Sequence, residues 1–276
     1  MPELPEVETI KNTLNLLVKN KKINHVSVHL ARIIQRPDDI DEFAFMLAGH
    51  TILSVERRGK FLRILLDGLV LVSHLRMEGR YGLFSSQDPV DKHTHVIFHF
   101  NDGTELRYKD VRQFGTMHLF ATGEDFTNLP LSKLGIEPLD VSFTQDQFKK
   151  ILSGKKTKIK SVLLNQVYVV GIGNIYVDES LFKAGIHPEQ SADSIGDKQL
   201  KKLHRSIVNT LSESIEAGGS SIKSYVNGQG EMGMFQQQLQ VYGRENKPCV
   251  NCGSLIKKMV VGGRGTHFCP RCQPIK

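Results

Sequence analysis

Cysteine is almost missing from this 276-residue chain: the first 248 residues contain none. A disulfide framework spread along the fold is therefore excluded. Long apolar runs are missing too. No stretch approaches the ~20 residues of a membrane-spanning helix, so no membrane partner is expected. Glu3 and Glu6 stand where a signal peptide would carry positive charge, and the expected location is the cytoplasm. No Walker sequence, G-x-S-x-G elbow or H-E-x-x-H helix occurs, which leaves NTPase, hydrolase-fold and zincin readings without support. No long internal repeat is visible.

What is present describes an ordinary globular protein, 39% hydrophobic and 24% charged, long enough for two domains. Thirty-six Lys and Arg against 29 Asp and Glu leave a net charge of +7. That excess favours a polyanionic partner such as nucleic acid. The four cysteines are confined to the tail as Cys249-x2-Cys252 and Cys269-x2-Cys272, with 16 residues between the pairs. Two such knuckles let four thiolates converge on one structural Zn2+. Paired disulfides are the alternative, and a reducing compartment disfavours them. A closed four-cysteine site leaves no open position for catalysis, so zinc alone reveals no function.

Hydrophobic spacing orders the rest. Val7, Ile10, Leu14 and Leu17 mark a helix over residues 5–19, with Pro5 and Glu6 in its first turn. From Ile23 to Phe120 the pattern is that of strands, with hairpin turns at Asp67-Gly68 and Asn101–Gly103, so a sheet sandwich or barrel is expected. After Asn128–Asp140 the period turns helical. Phe148, Ile151 and Leu152 suggest one helix, and Ile159, Val162 and Leu163 a second. A third runs from Asn174 to Ala184 and stops at Gly185. In the fourth, Leu200, Leu203, Ile207, Leu211 and Ile215 form one stripe, closed by Gly218-Gly219. Residues 218–240, rich in Gly, Ser and Gln, read as a loop before the zinc ribbon.

Several segments admit two readings. Gly171–Asn174, "GIGN", is either an ordinary helix–helix turn or an anion site at a helix start. The run holding Lys155, Lys156, Lys158 and Lys160 is either a solvated face or a set of phosphate contacts. "SHLRMEGRYG" and "KDVRQFGTM" are either hairpin tips with packed side chains or an apolar-and-arginine wedge that props a base step open. His93, His95 and His99 lie in a strand pattern with no acidic ligand cluster beside them, which argues against a metal there.

The opening "MPELPEVE" carries the sharpest possibility. Loss of Met1 would expose Pro2 as a secondary amine. An ordinary α-amine titrates near 7.7–8.0, so roughly a quarter is unprotonated at pH 7.4, against about one part in a thousand for lysine. Proline is intrinsically more basic, so burial or neighbouring cations must offset that difference. Such an amine can attack a sugar C1′ and form an iminium. Glu3 beside it can move a proton to the sugar ring oxygen. Pro and Glu are also commonplace at a plain helix start, and the residues alone do not demand the chemistry.

"MPELPEVE", "RRGK", "SHLRMEG", "DVRQFG", "GIGNIYVDESLFKAGIHP" and "GRGTHFCPRCQ", spread over nearly the whole chain, closely resemble the bacterial formamidopyrimidine-DNA glycosylases, the 8-oxoguanine repair family. Asp88–Asp91 and Asn128–Gln147 match no motif. The resemblance implies an α+β protein: an N-terminal β-sandwich with an N-terminal helix over residues 1–130, a helix–two-turn–helix domain over 131–240, and a zinc-finger β-hairpin over 241–276. It implies a bifunctional glycosylase and AP lyase acting on duplex DNA that contains oxidised purines or abasic sites, as a monomer, cytoplasmic and nucleoid-associated when acting. Pro2 would be the Schiff-base nucleophile, Glu3 its acid/base partner and Glu6 a support. Lys60 would act in β-elimination and hold a phosphate, while Arg264 would clamp phosphate and serve δ-elimination. Asn174 would bind phosphate, and His74, His93, Arg112 and Lys155 fall at DNA-contact positions. Met77, Arg112 and Phe114 look like the trio that fills the void left by an extruded nucleotide. The 218–240 loop would close over the extruded base. Two alternatives remain: an endonuclease VIII-like enzyme for oxidised pyrimidines, against which Leu4 counts, and a non-catalytic zinc-ribbon protein that binds distorted duplexes.

Overall fold

The computed structural model describes residues 1–220 and 233–275. The described chain divides into two compact units: Met1–Lys133 together with Gly218–Ser220 and Gly233, and Leu134–Ala217 together with residues 234–275. The pattern over residues 221–232, most of the expected capping loop, lies outside the described residues.

The first unit opens with helix α1 (Leu4–Val18), which buries Val7, Ile10, Leu14 and Val18 in the main core. This is the 3–4 spacing of one apolar face. Two sheets follow. One has the order β1 (Ile23–Val28), β7 (Thr94–Phe100), β8 (Thr104–Lys109), β6 (Arg80–Ser85). The other has the order β2 (Ile34–Arg36), β9 (Thr116–Ala121), β5 (Leu69–His74), β4 (Phe61–Leu66), β3 (Ile52–Arg58). Val96, Phe98 and Leu106 from the first sheet share one buried cluster with Leu62, Ile64, Leu71 and Leu119 from the second, as in a two-layer β fold. Both hairpins expected from turn residues form: β4–β5 around Gly68, at φ +93°, and β7–β8 around Gly103, at φ +79°.

One element departs from the sequence expectation. Within the strand-rich stretch, Ile40–Leu47 forms a helix, α2. Asp39 caps it, accepting hydrogen bonds from the backbone of Asp41 and Glu42, and Phe43 and Leu47 anchor it in the core. Capping and an apolar face of Ile40, Phe43, Ala44 and Leu47 packed on the core hold this helix within a stretch of strands.

The second unit contains α3 (Gln145–Leu152), α4 (Ile159–Leu164), α5 (Asn174–Ala184) and α6 (Asp197–Glu216), then the hairpin of β10 (Lys257–Val261) and β11 (Arg264–Phe268). Gly185 closes α5 in the left-handed conformation, at φ +71°. On α6, Leu200, Leu203, Ile207 and Leu211 are buried, whereas Ile215 is only half-buried. No helix among the described residues is long and apolar enough to cross a membrane.

Candidate active site and nucleic-acid interface

Pro2 is buried at the entrance to α1, with Met1 half exposed beyond it. Glu3, the N-cap, is 4% exposed and Glu6 2%. The Glu6 carboxylate accepts the Glu3 N–H at 2.9 Å through Oε2 and the Ser220 N–H at 2.7 Å through Oε1. A carboxylate in the first turn also satisfies the positive helix N-terminus. Gly219, at φ +82°, makes the second contact possible: a Cβ there would lie 3.1 Å from Glu6 Oε1 and 3.3 Å from its Cα. Glu6 therefore fixes the backbone beside Pro2 and Glu3 from two directions.

Lys60 sits in the two-residue turn between β3 and β4, after Gly59 at φ +57°, with Arg58 and Phe61 paired. Left-handed backbone at the first turn position is the glycine-first hairpin geometry. Two connections hold this hairpin to α1. Arg57 donates to Glu8 at 2.7 Å and to the Gly59 carbonyl at 3.0 Å, and Glu8 also pairs with Lys11. Asn15 donates to the Val55 carbonyl at 2.6 Å and accepts the Val55 N–H at 2.8 Å. Glu8, third of the opening glutamates, thus ties the elements that carry Pro2 and Lys60.

His74 ends β5 opposite Phe61, packed edge-on at 4.5 Å between ring centroids. Its Nδ1 accepts the Arg76 N–H at 2.9 Å. Burial first, then Arg76, Lys60 and His118, pull its pKa from 6.5 down to about 3. The ring is therefore neutral, with Nε2–H left to donate. Beyond it, Arg76 takes a left-handed φ of +52° and Met77 is 38% exposed. Across from this loop, Arg112 is exposed and Phe114 is 51% exposed, with the guanidinium 4.9 Å from the ring centroid. His93 is half-buried just before β7.

In the second unit, Asn174 begins α5 and donates through Nδ2 to the Gly265 carbonyl at 2.9 Å. Gln166 shapes the preceding turns: its Nε2 donates to the carbonyls of Leu164 and Ile172, and its Oε1 accepts the Gly171 N–H at 2.8 Å. Arg264 is exposed at the first position of β11, after the Gly262-Gly263 turn, where both glycines have positive φ. Asn174 and Arg264 therefore converge on one short backbone segment.

The lysine run divides. Lys155 stands half-buried 4.5 Å from the Tyr168 ring centroid, and Lys156 and Lys158 are exposed. Lys160 is fully buried, so neither a solvated face nor a phosphate contact describes it. Its Nζ donates to Asp178 Oδ1 at 2.7 Å, Thr266 Oγ1 at 2.8 Å and the Gly265 carbonyl at 3.2 Å. Asp178 Oδ2 accepts the His267 N–H at 2.8 Å. These buried groups, of which sequence reasoning singled out only Lys160 and read it differently, fasten β11 to α4 and α5. Glu179, also buried, accepts the N–H groups of Gln240, Val241 and Tyr242 and secures the entry to the cysteine-bearing segment.

All four cysteines are free thiols whose Sγ atoms lie within 4.8 Å of one another. Cys249–Cys272 and Cys252–Cys269 stand 3.8 Å and 3.5 Å apart. Four thiolates at about 2.3 Å from a tetrahedral zinc would be spaced by about 3.8 Å. The donor set fits one structural zinc, and the disulfide alternative falls away.

Two sheets led by a capped helix, then a helical unit carrying a four-cysteine finger, define a class of two-unit zinc-finger protein. Family models match along the chain: formamidopyrimidine-DNA glycosylase N-terminal domain at residues 1–117, its H2TH domain at 134–226, and a zinc finger found in FPG and IleRS at 246–275. A formamidopyrimidine-DNA glycosylase of Brevibacillus brevis is 64% identical over 273 residues, 99% of each chain. Two solved structures of Lactococcus lactis Fpg are each 40% identical. One, with abasic-site DNA, has a TM-score of 0.92 and covers 99% of both chains; the other, with N7-benzyl-Fapy-dG DNA, scores 0.93 and covers 99% and 100%. The chain belongs to the formamidopyrimidine-DNA glycosylase family.

Proposed function

We propose that the protein is a bifunctional DNA glycosylase and AP lyase that removes oxidised purines, 8-oxoguanine and formamidopyrimidines, from duplex DNA and then cuts the strand. The observation that carries this reading is the buried Pro2 beside a Glu3 whose backbone is held by Glu6, itself anchored at Ser220. The naming of relatives, and the solved complexes of Lactococcus lactis Fpg with lesion-bearing DNA, support it.

A base inside a duplex is unreachable, so the target nucleotide must be extruded. Phosphate contacts position the strand without reading sequence. We assign these to Lys60, Asn174 and Arg264, and further DNA contacts to His74, His93, Arg112 and Lys155. Exposed Met77 and Phe114, with Arg112, fill the vacated space in the stack. With Met1 removed, the Pro2 nitrogen donates its lone pair to C1′ as the bond to the base breaks and the base leaves with those bonding electrons. The nitrogen then gives up its N–H proton, Glu3 protonates the sugar ring oxygen, and the C1′–O4′ bond breaks to leave the iminium. The resulting iminium acidifies C2′, and loss of that proton expels the 3′ phosphate; a second elimination, served by Arg264, expels the 5′ phosphate. Zinc, when bound, supplies no chemistry of its own. Cys249, Cys252, Cys269 and Cys272 would hold it so that the finger presents Arg264.

The same reading assigns residues 1–130 to the catalytic sandwich, 131–240 to the helical domain with a capping loop at 218–240, and 241–276 to the zinc finger. It places a monomer in the cytoplasm, on the nucleoid when acting. Borohydride trapping on a duplex containing 8-oxoguanine, with mass mapping of the cross-linked peptide, tests it. The expected adduct lies on a peptide beginning at Pro2. An adduct on an internal lysine overturns the nucleophile, and bound DNA without any adduct overturns the enzymatic reading.

A further inference from the structure

Asp110 takes no part in the chemistry above, yet it is 1% exposed at the base of the loop that carries Arg112 and Phe114. Its Oδ1 accepts the Arg112 N–H at 3.1 Å. Its Oδ2 accepts the N–H groups of Phe114 at 2.9 Å and Gly115 at 2.8 Å, and the Tyr108 hydroxyl at 3.4 Å. Its own N–H donates to the His93 carbonyl at 3.0 Å, and its carbonyl accepts from His95 Nε2 at 2.9 Å. A buried carboxylate that collects several backbone donors dictates the path of that backbone.

The neighbouring Tyr108 hydroxyl reaches both hairpin tips. A Cβ on Gly115 would lie 1.7 Å from it, and one on Gly79 would lie 2.3 Å away. Real Cβ atoms do not come under 3.0 Å, so the two glycines let both loops close on a single oxygen. The Gly79 N–H closes the other loop onto the Leu75 carbonyl at 2.9 Å, with Met77 between them.

We infer that Asp110 and Tyr108 form a positioning hub that sets Met77, Arg112 and Phe114 as one pre-formed wedge, with His93 registered to it. This inference rests on the assignment of those three side chains as the wedge. Wedge geometry matters while a base is driven out of the stack, and much less where no base remains. The test uses the full-length zinc-loaded protein and compares two substrates: an 8-oxoguanine duplex, and the same duplex with a preformed abasic site.

Asp110→Asn turns an amide NH2 toward N–H donors that need an acceptor, so the loop loses its fixed path. Excision from the 8-oxoguanine duplex should fall by about tenfold or more. Cleavage at the abasic site should change by less than about threefold. Tyr108→Phe removes only the hydroxyl and should shift the same ratio in the same direction to a smaller extent. In a Phe114→Ala background, Asp110→Asn should add little, because the two act through one element. Equal losses on both substrates, or full additivity with Phe114→Ala, would refute the hub in favour of a merely structural Asp110. If Asp110→Asn does not yield folded protein, Tyr108→Phe decides by the same ratio. If Phe114→Ala leaves excision unchanged, the wedge assignment itself fails; if Phe114→Ala impairs excision and the hub variants do not, only the hub fails.

Discussion

Asp178→Asn is the perturbation that most directly weighs the buried support beneath Arg264. Lys160 and Asp178 are both 0% exposed, and the carboxylate accepts two hydrogen bonds, at Oδ1 from Lys160 Nζ at 2.7 Å and at Oδ2 from the His267 N–H at 2.8 Å, with His267 Nδ1 3.7 Å from Oδ2. An amide keeps one acceptor, so either the ammonium or the β11 backbone must face an NH2 group. Breaking a buried pair by removing one partner costs about 3–5 kcal/mol, because the remaining charge is stranded. The retained contacts of Lys160 to Thr266 and Gly265 set the lower end. Urea unfolding followed by circular dichroism, with zinc release read in parallel by a chromogenic chelator, should show a loss of about 3–5 kcal/mol and earlier zinc release. The double variant Lys160→Met/Asp178→Leu should recover most of it, since an apolar pair of similar volume is often neutral. A loss under about 1 kcal/mol in the single variant, or an equal loss in the double, refutes the claim that a stranded charge is what matters.

Three further outcomes are expected. His74 is held neutral to about pH 3, so the unfolded chain takes up a proton below about pH 6.5 that the folded chain refuses. Stability should therefore fall with acid, by up to about 2 kcal/mol at pH 5 from this group, and His74→Gln should flatten that slope; an NMR titration finding the His74 imidazolium at pH 5.5 would contradict it. Metal analysis should find one zinc per chain, and Cys269→Ser should lose the zinc together with DNA binding, while retained metal in that variant would dismiss Cys269 as a ligand. Gly115→Ala should cost about 1–3 kcal/mol in thermal or urea unfolding through overpacking against Tyr108, and a neutral result would mean the loop relaxes freely.

Elements whose signals are local were legible in the sequence. The 3–4 apolar spacing of α1, the turns at Gly68 and Gly103 and the buried stripe of α6 need only near neighbours, and they appear where the pattern sets them. Helix α2 was missed although Asp39, followed by Asp41 and Glu42 and then by Gly49 at φ +82°, spells a start and a stop. Ile40, Phe43, Ala44 and Leu47 even carry the helical spacing, but over eight residues set between strands that period is short and easily absorbed into the surrounding pattern.

The reactive residue types were legible as motifs, but the groups that aim them were not, and the reason is sequence distance. Lys160 meets Asp178 18 residues away and Thr266 106 residues away, and Glu6 meets Ser220 across 214. A sequence displays a charge without its burial, so Lys160 is indistinguishable from Lys156 and Lys158 until α4 turns it inward. The structure reverses the usual weight given to such residues. Exposed Arg264 looks functional by type, yet it holds its place because fully buried Lys160 and Asp178 do; Arg112 and Phe114 stand in the same relation to Asp110. If that ordering is right, conservative changes at the buried partners will disturb substrate handling about as much as truncating the exposed side chains themselves. The Asp178 and Asp110 variants test that equivalence in two separate units of the fold.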